Sequence, residues 1–459
     1  MAEENNIFEQ GSPLKTYLTL ASPVVLSMVI TVVYNIADTY FISATQNTQL
    51  VAGVSLCAPV FTILMAFGNI FGQGGSSLLS RLFGQQKLED TRAVSSFCFY
   101  IALLTGAVLG ILMLVFQQPL LIALGSDAET YAYAEEYFRV LAFGAPFLVV
   151  NFIHMNMLRS EGMSKESMYG SVSGLLLNII LDPILISGFH MGAFGAAMAS
   201  VLGYIFSDAF YLMVVLKKSR ILSVVPGSIY ADINAADHKA VPVCRVSRDY
   251  ISQILSVGFS AAVTNWMSGI CLIIMNQFLL PYGNECIAAM GIVQKVASIV
   301  LMVLVGMSFG SAPIVGYYYG ARKIKRLKGL LKMITGILFG TSIILEGIVC
   351  LNAQPLISLF LKSDSVVALG TRMLPLQVCT MMFASMVMIV TVCFQASGRG
   401  IEALLVSICR QGIVFLGVIF MTERFWGYMG ILAAQAVSDI LSALLAAVLF
   451  YFRFYRKLR

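Results

Sequence analysis

Three polar side chains stand where the chain is otherwise apolar. Asp38 lies in YNIADTYFIS (34–43), directly after the uncharged run LTLASPVVLSMVITVV. Asn178 and Asp182 lie in LLLNIILDPILI, four residues apart and therefore on one helical face. Each acid falls a few residues before the outer end of its apolar run, so the two carboxyls come to a similar depth. A charge in the bilayer interior costs at least about 2.5–3.5 kcal/mol, so such an acid faces the bundle interior or a water-filled cavity. Two acids sharing one site repel, which favours protonating one of them. The proton then belongs to the pair. Two carboxylates with an amide would equally suit sodium. Asp38, Asn178 and Asp182 are the expected ligands if sodium is the coupling ion. Pro183 follows Asp182 and predicts a kink there, because it lacks an N–H and crowds the preceding turn.

Other groups are candidates for lining a cavity or gating it: Tyr34, Asn35, Arg139, Asn151, His154, Asp208 and Lys295. His154 has an ordinary pKa near neutrality. Arg139 and Lys295 have long stems that can instead snorkel or pair. Ser200, in the sixth apolar segment, can hydrogen-bond to the acid cluster.

These residues must be carried by membrane helices. Of 459 residues, 59% are hydrophobic and 11% charged, against about 25% charged in an average soluble domain. Twelve apolar spans are predicted near 15–43, 50–80, 93–117, 131–157, 168–188, 192–216, 249–279, 285–317, 328–352, 370–396, 402–421 and 429–452. The pattern excludes a β-barrel, which shows short alternating strands. The nine cysteines form no CxxC pair. The polar leader and long first span argue against a cleaved signal peptide. There is no HExxH, no GxxxxGK[ST] loop and no histidine cluster, so no enzyme chemistry, cofactor or nucleic-acid partner is expected. Alternate loops carry the positive charge: Arg81, Lys87 and Arg92; Arg159 and Lys165; Lys217 to Arg248, including Lys239 and Arg245; and ARKIKRLKGLLK at 321–332. The opposite loops hold little beyond Lys362, Arg372 and Arg424. This bias predicts cytoplasmic termini in an inner or plasma membrane.

The spans also repeat. GGSSLLSRLFG (74–84) meets GSAPIVGYYYG (310–320), and LRSEG (158–162) meets FQASG (394–398), both 236 residues apart. MGAFGAA (191–197) meets MGILAAQ (429–435) at 238. The expected architecture is all-α, with two six-helix bundles related by a pseudo-two-fold along the membrane normal. The bundles are expected at 1–216 and 249–459, joined by a cytoplasmic connection at 217–248. Both bundles lie in one chain, so a working monomer is expected.

Taken together, SPVVLSMVITVVYNIADTYFIS, FGNIFGQGGSSLLSRLFG, LRSEG, LLLNIILDPILI, GAAMAS and FQASG resemble the multidrug and toxic-compound extrusion (MATE) family over almost the whole chain, and most of all its bacterial DinF-like and MepA-like members. The resemblance implies an antiporter that exports cationic or amphipathic drugs in exchange for protons or sodium. It implies a coupling site at Asp38, Asn178 and Asp182, supported by Ser200. NorM-like relatives place further acids in spans seven and ten, which this chain lacks. Exporters of the same superfamily that move a dedicated metabolite or flip lipid-linked sugars are the alternative.

Overall fold

The computed structural model describes residues 7–9, 12–233, 241–244, 246–360 and 364–458. Lys239, Arg245 and Lys362 from the loop-charge pattern lie outside the described residues. The helices are α1 Pro13–Ser43, α2 Thr48–Leu56, α3 Ala58–Gly84, α4 Leu88–Val115, α5 Gln117–Ala123, α6 Tyr131–Ser160, α7 Ser164–Asp182 and α8 Gly192–Lys217. After a small antiparallel ribbon (Tyr230–Ile233 with Val241–Cys244) come α9 Arg248–Leu279, α10 Asn284–Gly320, α11 Ile324–Leu351, α12 Ala353–Ser358, α13 Asp364–Val378, α14 Met381–Ala396, α15 Gly400–Ile408 and α16 Val414–Leu449.

Among the described residues, ten helical segments are long and apolar enough to cross a membrane. The bent pair α13 and α14, which meet at 42°, makes an eleventh. The last of the ten, Gly400–Lys457, is 58 residues long, nearly three times the roughly 20 that a span needs. It breaks at Gly427, whose φ of 53° and ψ of −130° leave the helical region. The chain folds back there. Arg410 and Asp439 are 2.9 Å apart, whereas 29 residues of straight helix would separate them by about 43 Å. Counting both arms gives the twelve spans that hydropathy predicts. Ile111, Val115, Ile180, Ile344 and Leu444 are all more than half exposed. So much outward-facing hydrocarbon belongs against lipid rather than water.

The repeat reaches the backbone. Gln86 and Arg322 both have positive φ (61° and 56°), as do Gly162 and Gly398 (93° and 78°). Each pair is 236 residues apart. Each site ends a helix with the same two bonds: Gln86 N to Phe83 O and Lys87 N to Leu82 O, matched by Arg322 N to Tyr319 O and Lys323 N to Tyr318 O. This closure satisfies carbonyls that the helix end would otherwise leave open. Gln86 and Arg322 tolerate the left-handed conformation in exchange for it.

By packing, the chain forms two compact units, Ile30–Gly258 and Met1–Val29 with Phe259–Arg459. The division falls inside α1 and inside α9. In the first unit the N-terminal end of α9 crosses α3: a Cβ on Gly74 would sit 2.1 Å from Ile254 O, and one on Gly258 would sit 1.9 Å from Ile70 O. In the second unit the N-terminal half of α1 crosses α10, where a Cβ on Gly310 would sit 2.5 Å from Ala21 Cα. Gly74 and Gly310 are repeat partners, and each lets two backbones touch. At the centre of the first unit lies α6, with Phe138, Leu141, Ala145, Leu148, Ile153 and Met157 fully covered.

Candidate functional site

In the Ile30–Gly258 unit, α7 runs regularly to Asp182 and then widens into a π-helical turn, Pro183–Gly188. Pro183 cannot donate the hydrogen bond that would continue the α-helix, and its ring displaces the carbonyl one turn back. A π-turn accommodates both effects, and such turns are frequent at functional sites. Asp182 therefore sits on the last regular turn.

Asn178, one turn earlier, joins two elements. A carboxylate only accepts hydrogen bonds, so the amide is oriented by its neighbours. Its Nδ2 donates to Asp182 Oδ2 at 2.9 Å, and its Oδ1 accepts from Ser200 Oγ at 3.0 Å and Ser200 N at 2.9 Å. Asp182, Asn178 and Ser200 are 0%, 2% and 6% exposed. All three functional groups are thus withdrawn from solvent, yet Asp182 Oδ1 has no protein partner.

The C-terminal half of α1 completes the cluster. Tyr34 and Asp38 are four residues apart and share a face. Tyr34 lies close to Ser200. The half-buried Asp38 acts electrostatically on Asp182, Tyr34, Tyr137 and Tyr204. The structure thus gathers Asp38, Tyr34, Asn178, Asp182 and Ser200, all named from sequence, and adds Tyr137 from α6 and Tyr204 from α8. Sequence spacing alone gave no reason to choose these two among nineteen tyrosines. Chemically the cluster holds two acids, an amide and four hydroxyls around one unpartnered carboxylate oxygen. It can take up a proton or ligate a hard monovalent cation through oxygen. Among the described residues, no three His, Cys, Asp or Glu side chains form a metal-holding group, so a sodium site here would rest on the amide and hydroxyls as well as the acids.

The remaining candidates fall elsewhere. Asn151 donates to Asp208 Oδ1 at 3.0 Å inside the same unit. His154 is buried against the Phe99 ring at 5.2 Å, with neither ring nitrogen bonded. Arg139 pairs with Glu135 and bonds Gln117 Oε1 on the surface. Asn35 is exposed on α1 and Lys295 is exposed on α10.

The other unit contains a group that the sequence reading passed over. Arg410 sits in a second π-helical turn, Cys409–Ile413, and pairs with Asp439 of α16. Gln435 donates to the same oxygen at 3.2 Å, and Ser438 Oγ donates to Arg410 O at 3.1 Å. Two opposite charges inside apolar spans eleven and twelve were the available signal.

Comparison with known proteins agrees with this architecture. The MatE family model matches residues 23–184 and 258–421. The chain belongs to the MatE family. It is similar to the multidrug export protein MepA of Staphylococcus saprophyticus, at 28% identity over 449 residues, 98% of this chain and 96% of that one. The MepA of Staphylococcus aureus strain NCTC 8325 matches at 28% over 457 residues, with the same shares covered. Among solved structures, a MATE protein in the straight conformation superposes with a TM-score of 0.90 at 23% identity. An outward-facing multidrug resistance MATE transporter does so at 0.89 and 24%. Both comparisons cover 98% of each chain. This MATE protein is therefore a multi-pass membrane protein of a transporter family, with helical membrane spans.

Proposed function

We propose that this MATE protein exports cationic or amphipathic small molecules across the plasma membrane in exchange for protons or sodium ions. The observation that carries this reading is the buried Asn178–Asp182 pair, with its free carboxylate oxygen, under the electrostatic influence of Asp38. The names of the MepA relatives support the cargo class. The loop charges support cytoplasmic termini, and the repeat supports working halves at 1–216 and 249–459 joined by 217–248. Each charge entering down the membrane potential gains about 2.3 kcal/mol per 100 mV, which the exchange couples to the outward step.

The test is ethidium movement in proteoliposomes under an imposed pH gradient, and separately under a sodium gradient. Uphill movement under at least one gradient is expected. Movement that only ever runs downhill would overturn the antiport reading.

A further inference from the structure

Asp208 is an acid within a membrane helix, beyond the cluster that the proposed function uses. It belongs to a run along one face of α8. Ser200, Tyr204, Asp208 and Tyr211 follow at intervals of four, four and three, the spacing of a single helical stripe. At about 1.5 Å per residue the stripe covers about 16 Å, roughly half of a hydrocarbon core about 30 Å thick.

The stripe is connected at both ends. Ser200 bonds Asn178 in the acid cluster, with Tyr34 nearby. Tyr204 interacts electrostatically with both Asp38 and Asp208. Tyr211 does so with both Asp208 and Arg159. Its hydroxyl donates to Ser167 O at 3.0 Å. Arg159 Nε donates to Ser167 Oγ at 3.0 Å, one residue from the end of α6. The groups around Asp208 are thus Tyr204 and Tyr211 on its own helix, Asn151 from α6 and, beyond Tyr211, Arg159. His154, one turn further along α6, packs on Phe99 of α4.

Asp208 itself is 5% exposed. Oδ1 is held by Asn151, while Oδ2 is buried without a partner. A buried acid paired with no cation is costly and marks a functional position by default. The repeat shows that packing does not require it. With the offset of 238 that aligns α8 with the last span, the stripe Ser200, Tyr204, Asp208, Tyr211 becomes Ser438, Ser442, Ala446, Leu449. The same fold closes there without an acid or a phenol.

We propose that Asp208 is a proton station linking the Asp38–Asp182 cluster to the Arg159 end of the bundle, the cytoplasmic end in the orientation proposed above. The inference rests on proton exchange being the coupling reaction. A carboxyl of the cluster releases its proton, and the Tyr204 hydroxyl accepts one proton and gives up another. The carboxylate oxygen Oδ2 of Asp208 takes it. Onward transfer past Tyr211 delivers the proton to water, and only O–H bonds are made and broken. Along α8 the stations Tyr204, Asp208 and Tyr211 are about one helical turn apart, 5–6 Å between Cβ atoms, and water completes the path.

The test uses Asp208→Asn in proteoliposomes with ethidium as the probe. Asparagine keeps the Oδ1 acceptor for Asn151 and removes the titrating group. The expected result is a loss of about tenfold or more in pH-gradient-driven ethidium efflux, with ethidium binding in detergent unchanged. Asp208→Glu is expected to restore most of the rate. If Asp208→Asn effluxes like wild type while Asp38→Asn does not, the relay is overturned. A matching loss of ethidium binding would also overturn it, by showing a structural role. If the wild type shows no pH-gradient-driven efflux, the proton-exchange reading itself fails, and the relay with it.

Discussion

Asp182, at the end of α7, has one carboxylate oxygen without a partner, whereas Asp439, on the corresponding pair of spans in the second half, is held 2.9 Å from the Arg410 guanidinium. Both acids lie beside a π-helical turn, and both neighbourhoods hold a serine from the repeat, Ser200 in one and Ser438 in the other. The backbones are alike and the charge chemistry is opposite. An acid already matched to an arginine has little reason to take up a cation. An acid matched only to an amide, with a second acid nearby, does have one. The repeat thus presents two similar frames, and only one of them pairs its acid with an arginine.

The comparison can be broken first at the ion pair. Its side chains are 11% and 2% exposed, so Arg410→Met alone strands a buried carboxylate and should cost about 3–5 kcal/mol. The double variant Arg410→Met/Asp439→Leu removes both charges and should recover most of that loss in a detergent unfolding assay. Failure of the double variant to recover would assign the pair a role beyond neutralising itself.

The glycine crossings come next. An alanine at Gly258 must displace a backbone carbonyl now 1.9 Å from its Cβ, whereas one at Gly310 meets Ala21 Cα at 2.5 Å. Both should destabilise by about 1–3 kcal/mol, as overpacking does, with Gly258→Ala the worse. Equal melting temperatures for the two would show that the crossings relax alike.

The two serines separate more finely. Ser200→Ala removes a buried hydroxyl that helps orient the Asn178 amide toward Asp182 and should cost about 1 kcal/mol, while Ser438→Ala loses one bond to a backbone carbonyl and should cost less. A reversed order would place the tighter network in the second half.

The smallest effect concerns a tether at the start of the second unit. Glu9 binds Lys323 and the Tyr317 hydroxyl, and Phe8 stacks on Tyr317. The hydrogen bond from Lys323, then that from Tyr317, holds the Glu9 carboxyl below its ordinary value of 4.5. A lowered acid stabilises the fold above its unfolded value and loses that contribution as pH falls through the folded one. Glu9→Gln should therefore cost at most about 1 kcal/mol at neutral pH, the scale of a half-exposed ion pair. The difference should vanish in acid, and a deficit that grows in acid would contradict this.

Much of the arrangement was legible in the sequence because lipid enforces a simple rule. Every span must be long and apolar, so the twelve runs stood out, and an acid such as Asp38 or Asp182 within one was conspicuous. The repeat was legible for a different reason: Gly74 and Gly310 answer to the same backbone crossing. Other features depend on partners far along the chain. Nothing local marks the change of packing partner between Val29 and Ile30 within α1. Tyr137 and Tyr204 read as ordinary aromatics until Asp38 is placed beside them. Gly427 reads as one glycine among many, although its φ and ψ turn a 58-residue segment back on itself.

The central claim is that exchangeable cation chemistry resides in the Ile30–Gly258 unit and not at the Arg410–Asp439 pair. Gradient-driven ethidium efflux in proteoliposomes tests it directly, comparing Asp38→Asn and Asp182→Asn with the Arg410→Met/Asp439→Leu double variant, all checked for folding by detergent melting. The account predicts that both single variants lose gradient-driven efflux while the double variant keeps it. Efflux retained in Asp38→Asn and Asp182→Asn but lost in a folded double variant would contradict it.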